Sequence, residues 1–106
     1  MNIICKYLVP NGYAAITVYP FVFYKDKKYM TEHTVQHEQI HKEQQLEMLI
    51  IPFFIWYGIE YLIRIIQYKD LIMAYKNISF ERESYDKEAT LGYLKERRIY
   101  SWLKYL

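Results

Sequence analysis

The chain has 106 residues, room for one domain, expected to span residues 1–106, and one core. Its 53% hydrophobic content can fill that core and excludes a disordered chain, and the aromatic share, thirteen tyrosines included, suggests wide amphipathic surfaces. A net charge of +2 gives no electrostatic footprint for nucleic acid, so a nucleic-acid partner is not expected.

From Met1 to Lys6 there is neither a basic n-region nor a long apolar stretch, so no secretory signal is expected. Cys5 is the lone cysteine, which excludes an internal disulfide and fits a reducing, cytoplasmic compartment. Its thiol reads as a small buried hydrophobe rather than a metal ligand. Pro10, Asn11 and Gly12 signal a turn. Residues 14–24, rich in Ile, Val, Thr, Tyr and Phe, read as a strand or a pair of short strands, with Pro20 marking an edge or a break. Lys25 to Lys28 form a solvated turn.

A helix then starts at Thr31 or Thr34, either of which can cap it, and runs to about residue 51, where Pro52 breaks or kinks the chain. A second helix covers roughly 53–68, with Glu60 and Arg64 spaced for an ion pair. The apolar run from Met48 to Ile59 is too short to span a bilayer, which takes about 20 residues. It reads first as a core helix and second as a segment in peripheral contact with a membrane. Asp70 caps a short third helix ending near Asn77, and Ser79 a fourth over 80–97, on which Glu83 and Lys87 lie one turn apart. The tail, 99–106, reads as a docking helix, with a membrane-surface role as the lesser alternative. The sum is a mostly helical α+β chain: a small N-terminal sheet or hairpin, then a site-bearing helix and two or three further helices.

That helix carries His37-Glu38-Gln39-Ile40-His41. At four residues apart the two imidazoles project from one face, one turn above the other, close enough to bind one tetrahedral ion. Glu38, one position round, can reach a water on that ion without taking a coordination place, as a general base requires. The spacing is the HExxH signature of zinc metallopeptidases; the plainer alternative is a polar face on which histidines cluster. His33 is two helical turns from His41 and cannot share its ion, so it reads as a rim residue. No histidine follows His41, and Gln44 stands where a metzincin extension would place glycine. The third ligand is therefore expected to be a downstream carboxylate: Glu60, Glu81 or Glu83.

With YPFVF, HEQIHKEQQLE, IPFFIWYGIEYLIR and NISFERESY in this order, the chain resembles the gluzincin-like minimal zinc metallopeptidases, and more closely a group of small bacterial HExxH proteins. The resemblance covers residues 14–88. It implies a minimal zincin-like fold, a zinc ion, and hydrolysis of a peptide or protein substrate by an activated water, with Glu38 as proton carrier. In that family a glutamate opening an E-x-x-A segment is the third ligand. This maps best onto Glu81, with Ser84 in place of the alanine. The acidic residue often found four positions later is here Tyr85, with Asp86 one further. The resemblance also implies that residues 16–23 can pair with an extended peptide, that Gln44 contacts a ligand or its neighbour, and that Tyr85 either packs or donates to an oxyanion. A zinc-stabilised scaffold without catalysis, or a membrane-associated binding protein, is the rival expectation. Nothing in the sequence indicates an oligomeric state.

Overall fold

The computed structural model describes residues 2–106. Pro20 does break the strand region, giving β2 (Ala15–Val18) and β3 (Phe21–Tyr24), joined through a cis Tyr19–Pro20 bond. They pair antiparallel, and a three-residue strand that the sequence did not signal, β1 (Asn2–Ile4), adds parallel to β3. The order β1-β3-β2 leaves β2 at an edge. Ala15, Val22 and Tyr24 form a small apolar cluster against Met30 and Val35. Cys5, expected to be buried, is half-buried, because it lies just beyond the edge strand β1.

α1 (Glu32–Glu47) is capped by Thr31, whose hydroxyl accepts from the Thr34 amide. Of its buried residues only Ile40 is apolar; the others are His37, Glu38, His41, Gln44 and Gln45. Burying polar groups costs free energy unless each finds a partner, so such a face marks a site rather than a core. Gln45 pins α1 to the sheet, donating to the Thr17 carbonyl at 2.7 Å and accepting from the Tyr19 amide at 2.7 Å.

The helix stops at Glu47, short of the expected residue 51. Leu49 and Ile50 take left-handed backbone angles, φ 61° and 54°, which costs about 1–2 kcal/mol each for bulky side chains. α2 (Ile51–Tyr68) then leaves at 113° to α1, and Pro52 sits in its first turn, where a missing N–H costs nothing. The proline starts this helix rather than kinking one.

Asp70 caps α3 (Leu71–Lys76) as expected, accepting from the Ile72 and Met73 amides. Ser79 is not the cap of α4 (Ser79–Lys87). Ile78 holds that place, and the Glu60 carboxylate reaches across from α2 to accept from the Ser79 amide and, at 2.5 Å, from its hydroxyl. An anion at a helix start satisfies otherwise orphaned amides.

α4 also ends ten residues before the expected 97. The Gln36 amide closes it by donating to the carbonyls of Lys87 and Thr90, and Gly92 turns the chain at φ 73° into the one-turn helix α5 (Tyr93–Glu96). The expected Glu83–Lys87 proximity plays no part: Glu83 faces Arg97 and Lys87 faces Asp86. The tail does dock, as a 3-10 turn (Ser101–Tyr105) that buries Trp102 against Phe80, 4.6 Å between ring centroids. With Phe53 and Ile78 these rings make the larger apolar cluster.

The result is an α+β fold with five helices among the described residues, four of them following α1 where two or three were expected. A radius of gyration of 13.3 Å matches a compact unit of this length, about 13 Å. No helix among the described residues is long and apolar enough to cross a membrane; α1 and α2 meet that test only jointly, as a sharply bent pair.

Candidate metal centre

α1 is packed on β2 on one side and on α4 on the other, so its polar face meets the first turn of α4. The rings of His37 and His41 stand edge to face, 4.9 Å apart. Both Nε2 atoms point at one carboxylate: Nε2 of His37 lies 3.1 Å from Oε1 of Glu81, and Nε2 of His41 lies 3.1 Å from Oε2. Two atoms bound to one tetrahedral ion at 2.0–2.1 Å lie about 3.3 Å apart, so this separation suits a shared cation. His37, Glu38 and His41, all buried, offer ligand atoms within 4.8 Å of one another, and this group can hold a metal ion.

The surrounding hydrogen bonds assign the ring nitrogens. Nδ1 of His37 donates to Glu88 at 3.0 Å, and Nδ1 of His41 donates to Oε1 of Gln44 at 2.8 Å. Gln44 cannot be turned round, because its amide nitrogen donates to the Phe80 carbonyl and to Oε1 of Glu83, each at 3.0 Å. With Nδ1 of each ring engaged by an acceptor, Nε2 is the nitrogen that faces the centre; on His41 it carries a proton donated to Glu81, which a bound cation would replace. Tyr57 donates to Oε2 of Glu81 at 2.8 Å, and Thr17 donates to Oε1 of Glu38 at 2.7 Å. Burial alone would raise Glu81, but His41 and His37 outweigh it and hold the carboxyl well below the usual range. Burial likewise works to lower His41, and Glu81 overrides it, lifting the imidazole to about 9.

The two other carboxylates considered for the third ligand are committed elsewhere. Glu60 serves α4 and stands 4.0 Å from Arg64, the pair expected on α2. Glu83 is locked by Arg97 at 2.6 Å and Tyr93 at 2.6 Å, with Glu47 completing the network through Arg97 at 2.9 Å. His33 is exposed, as its spacing implied. Tyr85 packs edge-on against His37, 4.5 Å between centroids. Asp86 does not reach the histidines; it is exposed and accepts from Tyr105. The second acidic partner of His37, at Nδ1, is Glu88, carried past the end of α4, and sequence reasoning missed it together with Thr17 and Tyr57.

Two clefts open on the centre. The larger, about 590 Å³, is lined by Tyr13, Thr34, His37, Tyr75 and Tyr85 among others. The second, about 310 Å³, reaches His41 and Glu81 between Phe54 and β2. All four residues of β2 line it. Side chains alternate along a strand, so consecutive lining residues mean that the strand edge faces the cleft.

No family model, curated protein or solved structure matches the chain. The reading of this centre rests on its own chemistry.

Proposed function

We propose that the chain is a zinc-dependent peptidase of the HExxH type, with a gluzincin-like ligand set of His37, His41 and Glu81 and with Glu38 as the base. One observation carries the reading: two imidazoles held in place at Nδ1 converge through Nε2 on a single buried carboxylate, with a second carboxylate tethered beside them. Two imidazoles and a carboxylate form a donor set that zinc accepts with a position to spare. Zinc bound there supplies Lewis acidity, lowering the pKa of a water and polarising a carbonyl.

The protein's own groups do the rest. Thr17 occupies Oε1 of Glu38, so Oε2 is the atom left to take a proton from water and hand it to the leaving amine. Tyr57 fixes the orientation of Glu81, while Gln44 and Glu88 fix the rings. Gln45 fills the edge of β2 at the Thr17 carbonyl and the Tyr19 amide, and the part of the edge before them, at Ala15, aligns an extended peptide by strand addition, main chain to main chain.

Elemental analysis of the untagged protein, with hydrolysis of a generic peptide library, tests this. The wild type is expected to carry one zinc, and His37→Ala and Glu81→Ala to lose it. Glu38→Gln is expected to keep zinc and lose activity by about 10²–10⁴-fold. Zinc retained in Glu81→Ala but lost in His37→Ala moves the third ligand to Glu38, the remaining acid within reach. Zinc present with no turnover in wild type or Glu38→Gln assigns the centre to a structural scaffold.

A further inference from the structure

α2 is built inside out. At Ile51, Ile55, Ile59, Leu62, Ile63 and Ile66 its side chains are 48–75% exposed, while its one acid, Glu60, is buried and its one base, Arg64, is turned in beside it. Even Trp56 points its N–H inward, at Glu60. These six residues span about 120° of the helix, and Phe54 and Trp56, 42% and 41% exposed, widen the apolar arc to roughly 200°, about twice the stripe that one packed neighbour takes. It is about 27 Å long. Leu71, Ile72 and Met73 of α3, packed beside α2, extend it, each at least 47% exposed. Monomers seldom expose a continuous apolar patch beyond a few hundred Å².

We propose that the outer face of α2 and α3 rests on a lipid bilayer, with α2 lying in the interface. A second protein is the poorer occupant. Protein interfaces carry about one hydrogen bond per 100–200 Å², and this face offers no hydrogen-bonding side chain from Ile51 to Ile66. The arc is also too wide for one helix to cover, whereas hydrocarbon conforms to any arc. The borders suit headgroups. Tyr68 and Lys69 stand exposed at the end of α2 and Lys76 at the end of α3. Lys104 lies in the tail, whose Leu106 shares an apolar groove with Pro52, Ile55 and Ile59. Exposed aromatic and basic residues at the edge of an apolar face are what a helix lying in an anionic membrane surface presents. The acid beside Lys69, Asp70, is spent on capping α3.

The docked face also continues into the larger cleft, because Leu71 and Ile72 line both. The cleft mouth thus opens at the lipid surface, and chain segments emerging from the bilayer are what it would meet. The docking itself does not depend on the centre being catalytic.

The test is co-sedimentation with vesicles of mixed phosphatidylcholine and phosphatidylglycerol, together with the emission of Trp56, which lies on the face and is 41% exposed. The wild type is expected to pellet with vesicles and its emission to shift to the blue. Ile59→Asp with Ile63→Asp, at positions open to water, is expected to keep its helix content and zinc while partitioning falls about a hundredfold. Glu38→Gln is expected to bind vesicles like the wild type, which separates this result from any failure of the peptidase reading. Wild type left in the supernatant with unshifted emission overturns the proposal. So does a concentration-dependent dimer that the double substitution abolishes while vesicle binding is absent.

Discussion

An amide group looks the same from both ends but bonds differently at each, and Gln44 uses that difference. Two acceptors, the Phe80 carbonyl and the Glu83 carboxylate, hold its nitrogen end, so its oxygen must meet His41. The charge on Glu83 is itself secured by Arg97, so the orientation of a candidate ligand ring is set by an ion pair two side chains away. Tyr24 shows the opposite condition. It is fully buried, and its hydroxyl has no hydrogen-bond partner among the described residues. Burial first, and then the charge of Glu38, push this phenol up to about 12. A raised pKa means that the fold favours the neutral phenol. Its contribution is complete below the ordinary value of 10 and is lost as pH rises through about 12. Tyr24→Phe is therefore expected to match or exceed wild-type stability at neutral pH, by up to about 1 kcal/mol. Chemical denaturation should show the advantage of the variant growing between pH 10 and 12; equal slopes for both proteins would refute the assignment. Of the site, the sequence makes His37, Glu38 and His41 legible, because their geometry is local to one helix. Glu88, Thr17 and Tyr57 were not legible, since each meets the centre only through tertiary contact.

At the scale of elements, local chemistry is a good guide wherever it decides the outcome. Thr31, Pro52 and Asp70 mark helix starts because caps and prolines act within one turn of themselves. Ser79 misleads for a long-range reason: a carboxylate nineteen positions earlier arrives to take its role. The end of α4 misleads in the same way. Residues 88–97 hold good helix formers, but Arg97 folds back to bind Glu83 on α4 and Glu47 at the end of α1. With side-chain exposures of 4%, 0% and 7% for Arg97, Glu83 and Glu47, this triad is nearly dry. Removing one partner strands buried charge, so Arg97→Met is expected to cost about 3–5 kcal/mol, read from urea unfolding. A cost near that of a surface pair, under about 1 kcal/mol, would mean that the triad is solvated and that α5 is held otherwise.

The whole molecule divides its adhesion unusually. Its two apolar clusters are small, one under the sheet and one around Phe53, Phe80 and Trp102. α1 meets α4 through a polar seam of His37, His41, Gln44, Glu81 and Glu83, and the broadest apolar surface faces outward on α2. A seam of that kind holds two helices together only while its charges are matched. A cation shared between α1 and α4 would act as a rivet between elements 44 positions apart in sequence. Under the proposed function, zinc binding is thus also folding free energy, since the unfolded chain has no preformed site. With free zinc at a hundred times its dissociation constant, the gain is about 2.7 kcal/mol. Thermal melts with zinc and with a chelator are expected to differ by roughly 10–20 °C for the wild type, and for Glu38→Gln as well. Glu81→Ala is expected to melt at one temperature in both conditions. A wild type indifferent to chelation, yet shown by elemental analysis to have lost its metal, would mean that hydrogen bonds alone hold the seam and that the centre evolved for chemistry rather than for cohesion.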